Sequence, residues 1–522
     1  MKSLDQSRLR SWNLEPREAA TLTAILVATA LIYMPSLRNG WVWDDWEQIV
    51  QSEVLHSWSG IGKSFIYDSW WFRSPESLPN SGYYRPLQDT YVALSWMALG
   101  NHPAVWHLEK IVLELIAVVL AFRLAQLLTG NTTVALLSAA IFGLIPANVE
   151  AVVWAAAVPE PMAAAFEMGA LCCLITRDTA SRFSRSVVFA LMLYAGALLS
   201  HESAILFCLI VAAYFFLIER RDAGESFRLA LPFMVVAIAY LFARLSALGT
   251  SHFLGLPYIE KPSAALGWES SVPPRTPADM ILTAPVVLLD YLGVLAVPGF
   301  AGPAHNVDWV TTASPITFIC AGILVMLAAV VLAFIWRSQD RRIYLFCAAW
   351  SLLTIAPAMK LNALALLVQD RVLYAPSFGW SLAIGLTAVR LAAISPRVRV
   401  AVAGAMAVVL AAFAVSVVRL EGYWYDNLTF FARCVTLAPY NVDYRRELVE
   451  ELNQKGDFTT AMNEIRQAVN QEPDNIYLHQ KLAEQYGLMQ RPEDFQAEIL
   501  KMQQLRANAR AANAASATPP PR

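Results

Sequence analysis

Residues 318–336 read FICAGILVMLAAVVLAFIW, nineteen positions without one charged side chain. At 1.5 Å of rise per residue, a helix of that length covers about 28 Å, close to the thickness of a bilayer's hydrocarbon core. The same reading extends outward to Ala19–Ser36, to Ala401–Val418 and to Ile111–Leu128, the last interrupted by Glu114 and Arg123. Over 522 residues the hydrophobic fraction is 57%, charged residues are 15%, and the mean hydropathy is +0.45. Soluble domains carry about 25% charged residues. So many apolar blocks cannot all be buried core helices of a soluble chain this size, which is therefore expected to be all-α and polytopic in a lipid bilayer.

Lys and Arg in short loops favour the cytoplasm. The basic loops are 1–18, 177–185, 219–228, 337–342 and 390–399. Placing all five inside orients the chain. A first helix at 19–36, read as uncleaved because Tyr33–Gly40 offers no small-x-small site, runs outward into a large loop, 37–103. Spans follow near 104–128, 132–147, 151–175, 186–199, 203–218 and 229–248. The Pro- and Ser-rich loop Thr250–Asp279 lies outside. Counting 280–298 as a span would put Arg337, Arg341 and Arg342 on the wrong side, so it is read as interfacial or re-entrant. Spans at 313–336, 342–358, 372–389 and 400–418 bring the total to about eleven and leave the C-terminus outside.

The membrane domain is thus expected over 1–419. From about 420 the composition turns soluble, and Val442–Pro473 fits one tetratricopeptide unit through Leu448, Leu452, Gly456, Ala461, Ala468 and Pro473. A second unit begins near Asn475, and a half-unit ends at Pro439, giving a helical repeat region over 420–505. The Ala/Asn/Pro-rich tail, 506–522, is expected to be disordered.

A net charge of −2 offers no polycation for nucleic acid. None of the six cysteines has metal-ligand spacing. On this topology the polar residues hardest to explain structurally gather on the outer side. Trp43-Asp44-Asp45-Trp46 follows the first helix. A carboxylate there reads as a general base for an acceptor hydroxyl, or else as a loop cap or a partner of Arg38. Glu150 and Glu160 bracket the start of the fourth span and suit an acceptor, a sugar hydroxyl or a cation, or simple helix capping. His201-Glu202 occupies an outer turn. Tyr84 and Arg85, in Tyr83-Tyr84-Arg85-Pro86-Leu87, read as part of a sugar platform or as an aromatic corner. Arg371, in Gln369-Asp370-Arg371-Val372-Leu373-Tyr374, is placed to grip a lipid phosphate in a forked geometry, or to pair with Asp370 or another acid. No Gly-rich phosphate loop, nucleophile elbow or Cys/His metal spacing occurs, and an outward site has no access to cytosolic nucleotide sugars. A lipid-carried donor follows.

These residues resemble the GT-C glycosyltransferase superfamily over nearly the full length. Within it they resemble the transmembrane and tetratricopeptide-repeat-containing O-mannosyltransferases and their bacterial relatives. Gly40-Trp41-Val42-Trp43-Asp44-Asp45 is similar to the family's first-loop acidic motif, and Tyr84-Arg85-Pro86-Leu87 to its Y-R-P-L element. Asn101-His102-Pro103 with Trp106-His107-Leu108 is similar to its N-P-x-x-x-H-L start of the next helix. Gln369–Gly379 is similar to its E-R-Y-L-Y-L-P-S-x-G signature. The resemblance implies inverting transfer from a polyprenyl-phosphate sugar to a protein or glycan, with Asp44 as base and Arg371 on the carrier phosphate. The chain departs from the family where Ile145-Pro146-Ala147-Asn148-Val149-Glu150 stands for H-P-x-H-T-E, Ala157-Val158-Pro159-Glu160 for G-R-A-E, and His201-Glu202 for K-E. The acids are kept and several cationic or imidazole partners are not.

The expectation is a membrane glycosyltransferase acting on the non-cytoplasmic face. The alternatives are an inactive envelope scaffold and a transporter of a lipid-linked substrate. Its partners would be the lipid donor, the acceptor, the bilayer and a protein held by the repeats, with no nucleic acid. A cofactor, Mg or Mn, is left open, since Asp44-Asp45 fits a metal-dependent and a metal-independent site alike. The shortness of the repeat array points to a bacterial inner membrane.

Overall fold

Proline opens helix after helix in this chain, because its missing N–H falls where a first turn has no acceptor to offer. The computed structural model describes residues 14–73, 82–178, 184–249, 276–357, 359 and 368–516, and among them there is no strand. α1 (Pro16–Tyr33) leads into a loop carrying α2 (Trp58–Ser64) and α3 (Pro86–Leu99). Then come α4 (Pro103–Thr129), α5 (Thr132–Leu144), α6 (Val149–Val153), α7 (Pro159–Ile175), α8 (Arg185–Ser200), α9 (Phe207–Ala213) and α10 (Ala223–Leu248). They are followed by α11 (Pro277–Ala296), α12 (Pro315–Arg337), α13 (Arg341–Ile355), α14 (Tyr374–Ala392) and α15 (Pro396–Glu421). The C-terminal region comprises α16 (Asn427–Leu437), α17 (Val442–Gln454), α18 (Phe458–Gln471), α19 (Ile476–Leu488) and α20 (Pro492–Ser516).

α4 lies at the centre, with Ala117, Val118, Ala121, Phe122, Leu124 and Ala125 wholly buried against α5 and α7. At the periphery, α12 exposes Phe318, Val325, Val330 and Trp336, and α15 exposes Val400, Val408 and Val415. Apolar surface that continuous is a liability in water and matches hydrocarbon. Among the described residues, seven helices are long and apolar enough to cross a membrane, or eight if the pair Thr132–Leu144 and Pro146–Val153, bent by 52°, forms one span. The protein is an integral membrane protein.

The count differs from the eleven spans expected. α7, α8 and α13 are 17, 16 and 15 residues long. α7 also carries Glu160 and Glu167, and the turn His201-Glu202 cuts the next apolar stretch short. Conversely, Ala278–Ala296, expected at the interface, is long and apolar enough to span. Arg182 and the loop residues 250–275, used in the loop-charge argument, lie outside the described residues, as does the segment before Leu14.

The C-terminal helices pack as consecutive hairpins. Leu448, Leu452, Ala461 and Ala468 are buried between α17 and α18, and Gly456 turns between them at φ +80°, a conformation that favours glycine. Asn441, Asp457 and Asn475 cap the helices that follow them. α20 runs on to Ser516, so most of the stretch assigned to a disordered tail is helical. Its alanines, read as low complexity, are the strongest helix formers. Residues 517–522 lie outside the described residues.

The break at 419/420 is one of composition only. The Gly40 N–H donates to the Tyr425 carbonyl at 2.9 Å, and the Trp43 N–H donates to Asn427 Oδ1 at 2.7 Å. The first loop and the start of the C-terminal helices therefore share one seam.

Candidate active site

A cavity of about 160 Å³ opens where the first loop, the α6–α7 turn, the α8–α9 turn and the start of α14 meet. Trp43 begins the construction of its wall. It sits at φ +56°, a left-handed conformation rare for a bulky residue and costing roughly 1–3 kcal/mol. The surrounding contacts hold it there. Its ring stacks on Trp154 at 5.3 Å and 9°, and Trp154 stacks in turn on Trp424 at 5.6 Å. Phe430 of α16 packs on both Trp43 and Trp424.

That twist separates two neighbouring acids. Asp45 is buried, with Oδ2 accepting from the Val42 N–H at 2.9 Å and Oδ1 from the Ala156 N–H at 2.7 Å. Burial pushes its carboxyl up to about 7, against the pull of those two N–H donors. Asp45, expected beside Asp44 as a catalytic acid, is thus a brace between the first loop and the α6–α7 turn, away from the cavity wall. Asp44 lines the cavity, and Gln48 Nε2 donates to its Oδ2 at 3.4 Å. Lys110 of α4, fully buried, steadies the same turn by donating to the Ala157 carbonyl at 2.5 Å.

Arg371 also lines the cavity. Its main-chain N–H donates to Glu150 Oε2 at 3.1 Å, its Nη1 pairs with Glu150 Oε1, and its Nε lies 3.2 Å from Glu160 Oε1. The guanidinium carbon sits 4.9 Å over the Trp154 ring. Of the two readings of this arginine, the ion pair describes this state, though with Glu150 and Glu160 and not with Asp370. Glu150 lies behind Arg371 and does not line the cavity, whereas Glu160 does.

From Glu160 the charges run on. His201 Nε2 is 3.8 Å from Glu160 Oε1 and 3.0 Å from Arg85 Nη2. Arg85 makes a forked pair with Glu202, Nε to Oε2 at 2.8 Å and Nη2 to Oε1 at 2.9 Å. Burial alone would lower the Arg85 pKa; the Glu202 carboxylate outweighs it and holds it above the usual arginine value. Arg85, His201, Glu202 and Glu160 all line the cavity.

Tyr84 does not, although it was expected in a sugar platform. It is buried, its hydroxyl donates to the Phe65 carbonyl at 2.9 Å, and its ring packs on Tyr240. Tyr83 takes the wall position, under the Arg85 guanidinium at 4.5 Å. Two adjacent tyrosines leave the choice to backbone geometry, which local sequence does not carry. Trp70, Phe72, Gln48, Gln88 and Asp89 also line the cavity and were missed. Asp89 is buried beside Ser64, and burial holds its carboxyl well above the usual range.

A second missed group lies behind Arg371. His305, 6% exposed, places Nδ1 at 2.8 Å from Asp290 of α11 and Nε2 at 2.8 Å from Asp370 Oδ1. Burial alone would lower its pKa, but Asp370 and Asp290 raise it to about 10. The available signal was Asp290, an acid inside an otherwise apolar stretch. Among the described residues, no three His, Cys, Asp or Glu side chains gather as a metal-binding set.

No family model matches the chain. A stretch of 201 residues, 37% of the chain, is 27% identical to protein O-mannosyl-transferase Tmtc1 of Drosophila melanogaster. The match covers 22% of that protein's length. The chain is therefore distantly similar to a membrane glycosyltransferase.

Proposed function

We propose that this protein is a membrane glycosyltransferase that moves a sugar from a polyprenyl-phosphate carrier to a protein or glycan acceptor on the non-cytoplasmic face of a bacterial cell membrane. The observation that carries this reading is the single cavity joining Asp44, Arg371, Glu160, His201, Arg85 and Glu202, drawn from distant parts of the chain. Asp44 takes the acceptor hydroxyl proton as that oxygen bonds to the anomeric carbon. The bond from that carbon to the phosphate oxygen breaks, and the departing polyprenyl phosphate takes up the negative charge next to Arg371. Among the described residues, Arg371 Nη2 makes no hydrogen bond within the protein. It is the nitrogen left to meet a phosphate oxygen while Nη1 and Nε stay braced. Trp70 and Phe72 offer apolar ring faces to a sugar, and the forked Arg85–Glu202 pair offers polar edges to its hydroxyls. The C-terminal hairpins, read as tetratricopeptide-like, hold a protein partner near the mouth.

The test uses purified full-length protein with radiolabelled polyprenyl-phosphate sugars of several kinds. Parent protein should transfer label, and Asp44→Asn should lower the rate about 100-fold or more, the scale of a lost general base. Arg371→Ala should do the same, chiefly through weaker donor binding. If parent and both variants release the same background with every donor, the proposal fails.

A further inference from the structure

Of the acids beside Arg371 in space and in sequence, Glu150 and Glu160 touch its guanidinium and Asp370 does not. Asp370 is buried, with Oδ1 on His305 Nε2 at 2.8 Å and Oδ2 accepting the Gly302 N–H at 2.8 Å. His305 is tethered from its other side by Asp290 at 2.8 Å. The loop that carries His305 is itself fixed. The Cys434 thiol of α16 lies 3.9 Å from the Pro303 carbonyl, and a Cβ on Gly302 would stand 3.1 Å from Leu437 Cδ1.

We propose that His305 is a positioning residue for the phosphate-binding arginine: it holds the Asp370 carboxylate off Arg371, so that the guanidinium keeps a nitrogen for an anion. Resting on the transferase reading, this names the group that sets donor affinity. The physical reason is charge balance in a site largely screened from water. Two carboxylates and one guanidinium already sum to −1 around Arg371. A third carboxylate swinging onto Nη2 would fill the remaining donor and add repulsion against a phosphate. An imidazolium between Asp290 and Asp370 absorbs that charge and fixes its direction. A neutral side chain at 305 would release it.

The experiment measures equilibrium binding of a radiolabelled polyprenyl monophosphate, which carries no sugar, to the full-length protein in nanodiscs. His305→Gln should weaken binding about 10-fold, or roughly 1.4 kcal/mol. Adding Asp370→Asn to that variant should restore binding to within about 3-fold of the parent, since the competing charge is gone. A merely structural His305 would make the double variant worse than the single. Asp370→Asn alone should bind at least as tightly as the parent, which keeps the test open if His305→Gln loses its cooperative melting. The inference is overturned if His305→Gln binds like the parent, if the double variant is no better than the single, or if Asp370→Asn alone loses binding. It also fails if the parent does not bind the probe. Binding with this pattern but without sugar transfer would sink the transferase reading and leave the positioning role standing.

Discussion

Asp44 and Asp45 are neighbours with opposite surroundings, and the left-handed Trp43 before them decides which is which. Asp45 carries a pH signature that Asp44 does not share. Its folded carboxyl, pushed up to about 7, lies above its ordinary value of 3.8. Between those values the folded state holds a proton that the unfolded state has released, so stability falls as pH rises from about 4 to 7. Melting of the parent should therefore weaken across that window more steeply than melting of Asp45→Asn, by on the order of a few kcal/mol. Equal slopes would show that Asp45 does not hold the proton. At the acid end of that window the variant should melt lower, because an amide N–H₂ would face a main-chain N–H, at a cost of about 1–3 kcal/mol, and the gap should close as pH rises to 7. At this scale the sequence disclosed a pair of acids beside tryptophans. The orientation of each depended on Val42, Ala156 and Asn427, and no local pattern names those contacts.

Helices were legible wherever composition and end signals agreed. Proline at the first turn marks α4, α11, α12 and α15, and their apolar runs give their length. What composition could not rank is how closely two helices approach. Gly379, in the Phe378-Gly379 pair of the signature around Arg371, is where α14 meets α13. A Cβ there would lie 2.5 Å from Ser351 Oγ and 2.6 Å from the Cys347 carbonyl oxygen. The hydroxyl can rotate away, whereas the helical carbonyl cannot. Gly379→Ala should lower stability by about 1–3 kcal/mol through overpacking. Gly404→Ala in α15, with nothing within 4 Å, should leave it unchanged or raise it by up to about 1 kcal/mol. Thermal unfolding in one detergent compares the two, and equal melting temperatures would refute the close contact. α7 and α8, read as spans, hold 17 and 16 residues, and α8 ends at the turn His201-Glu202 that the sequence already marks.

Taken as a whole, the molecule closes its candidate site from both ends of the chain. Phe430, fully buried, packs on Trp43 and Trp424, some 390 positions after the acidic motif that it supports. Removing that ring by Phe430→Ala should destabilise the protein by about 3–5 kcal/mol, the usual scale for a buried phenylalanine. It should also lower sugar transfer, because Trp43 loses the partner that keeps it left-handed, though Phe430 does not line the cavity. A variant that melts lower yet transfers at the parental rate would separate the seam from the site. The compositional boundary near residue 420 gave no hint of this, since a shift to soluble composition says where lipid ends and nothing about what docks there.

Sequence alone determined that this chain lives in a bilayer, that its elements among the described residues are helices, and which charged and aromatic motifs lie outside its apolar stretches. Those follow from solvent: hydrocarbon tolerates only satisfied backbone and apolar surface, and that demand is written locally in every span. The tertiary structure decided how Asp44, Glu160, His201, Arg85, Glu202 and Arg371 come to share a cavity. It also turned Asp45 and Tyr84 inward as braces, and set His305 with Asp290 behind Asp370. Those outcomes depend on charge pairing and ring stacking between segments hundreds of residues apart. Such contacts are made only once the chain has folded, and they leave no periodicity for a sequence to show.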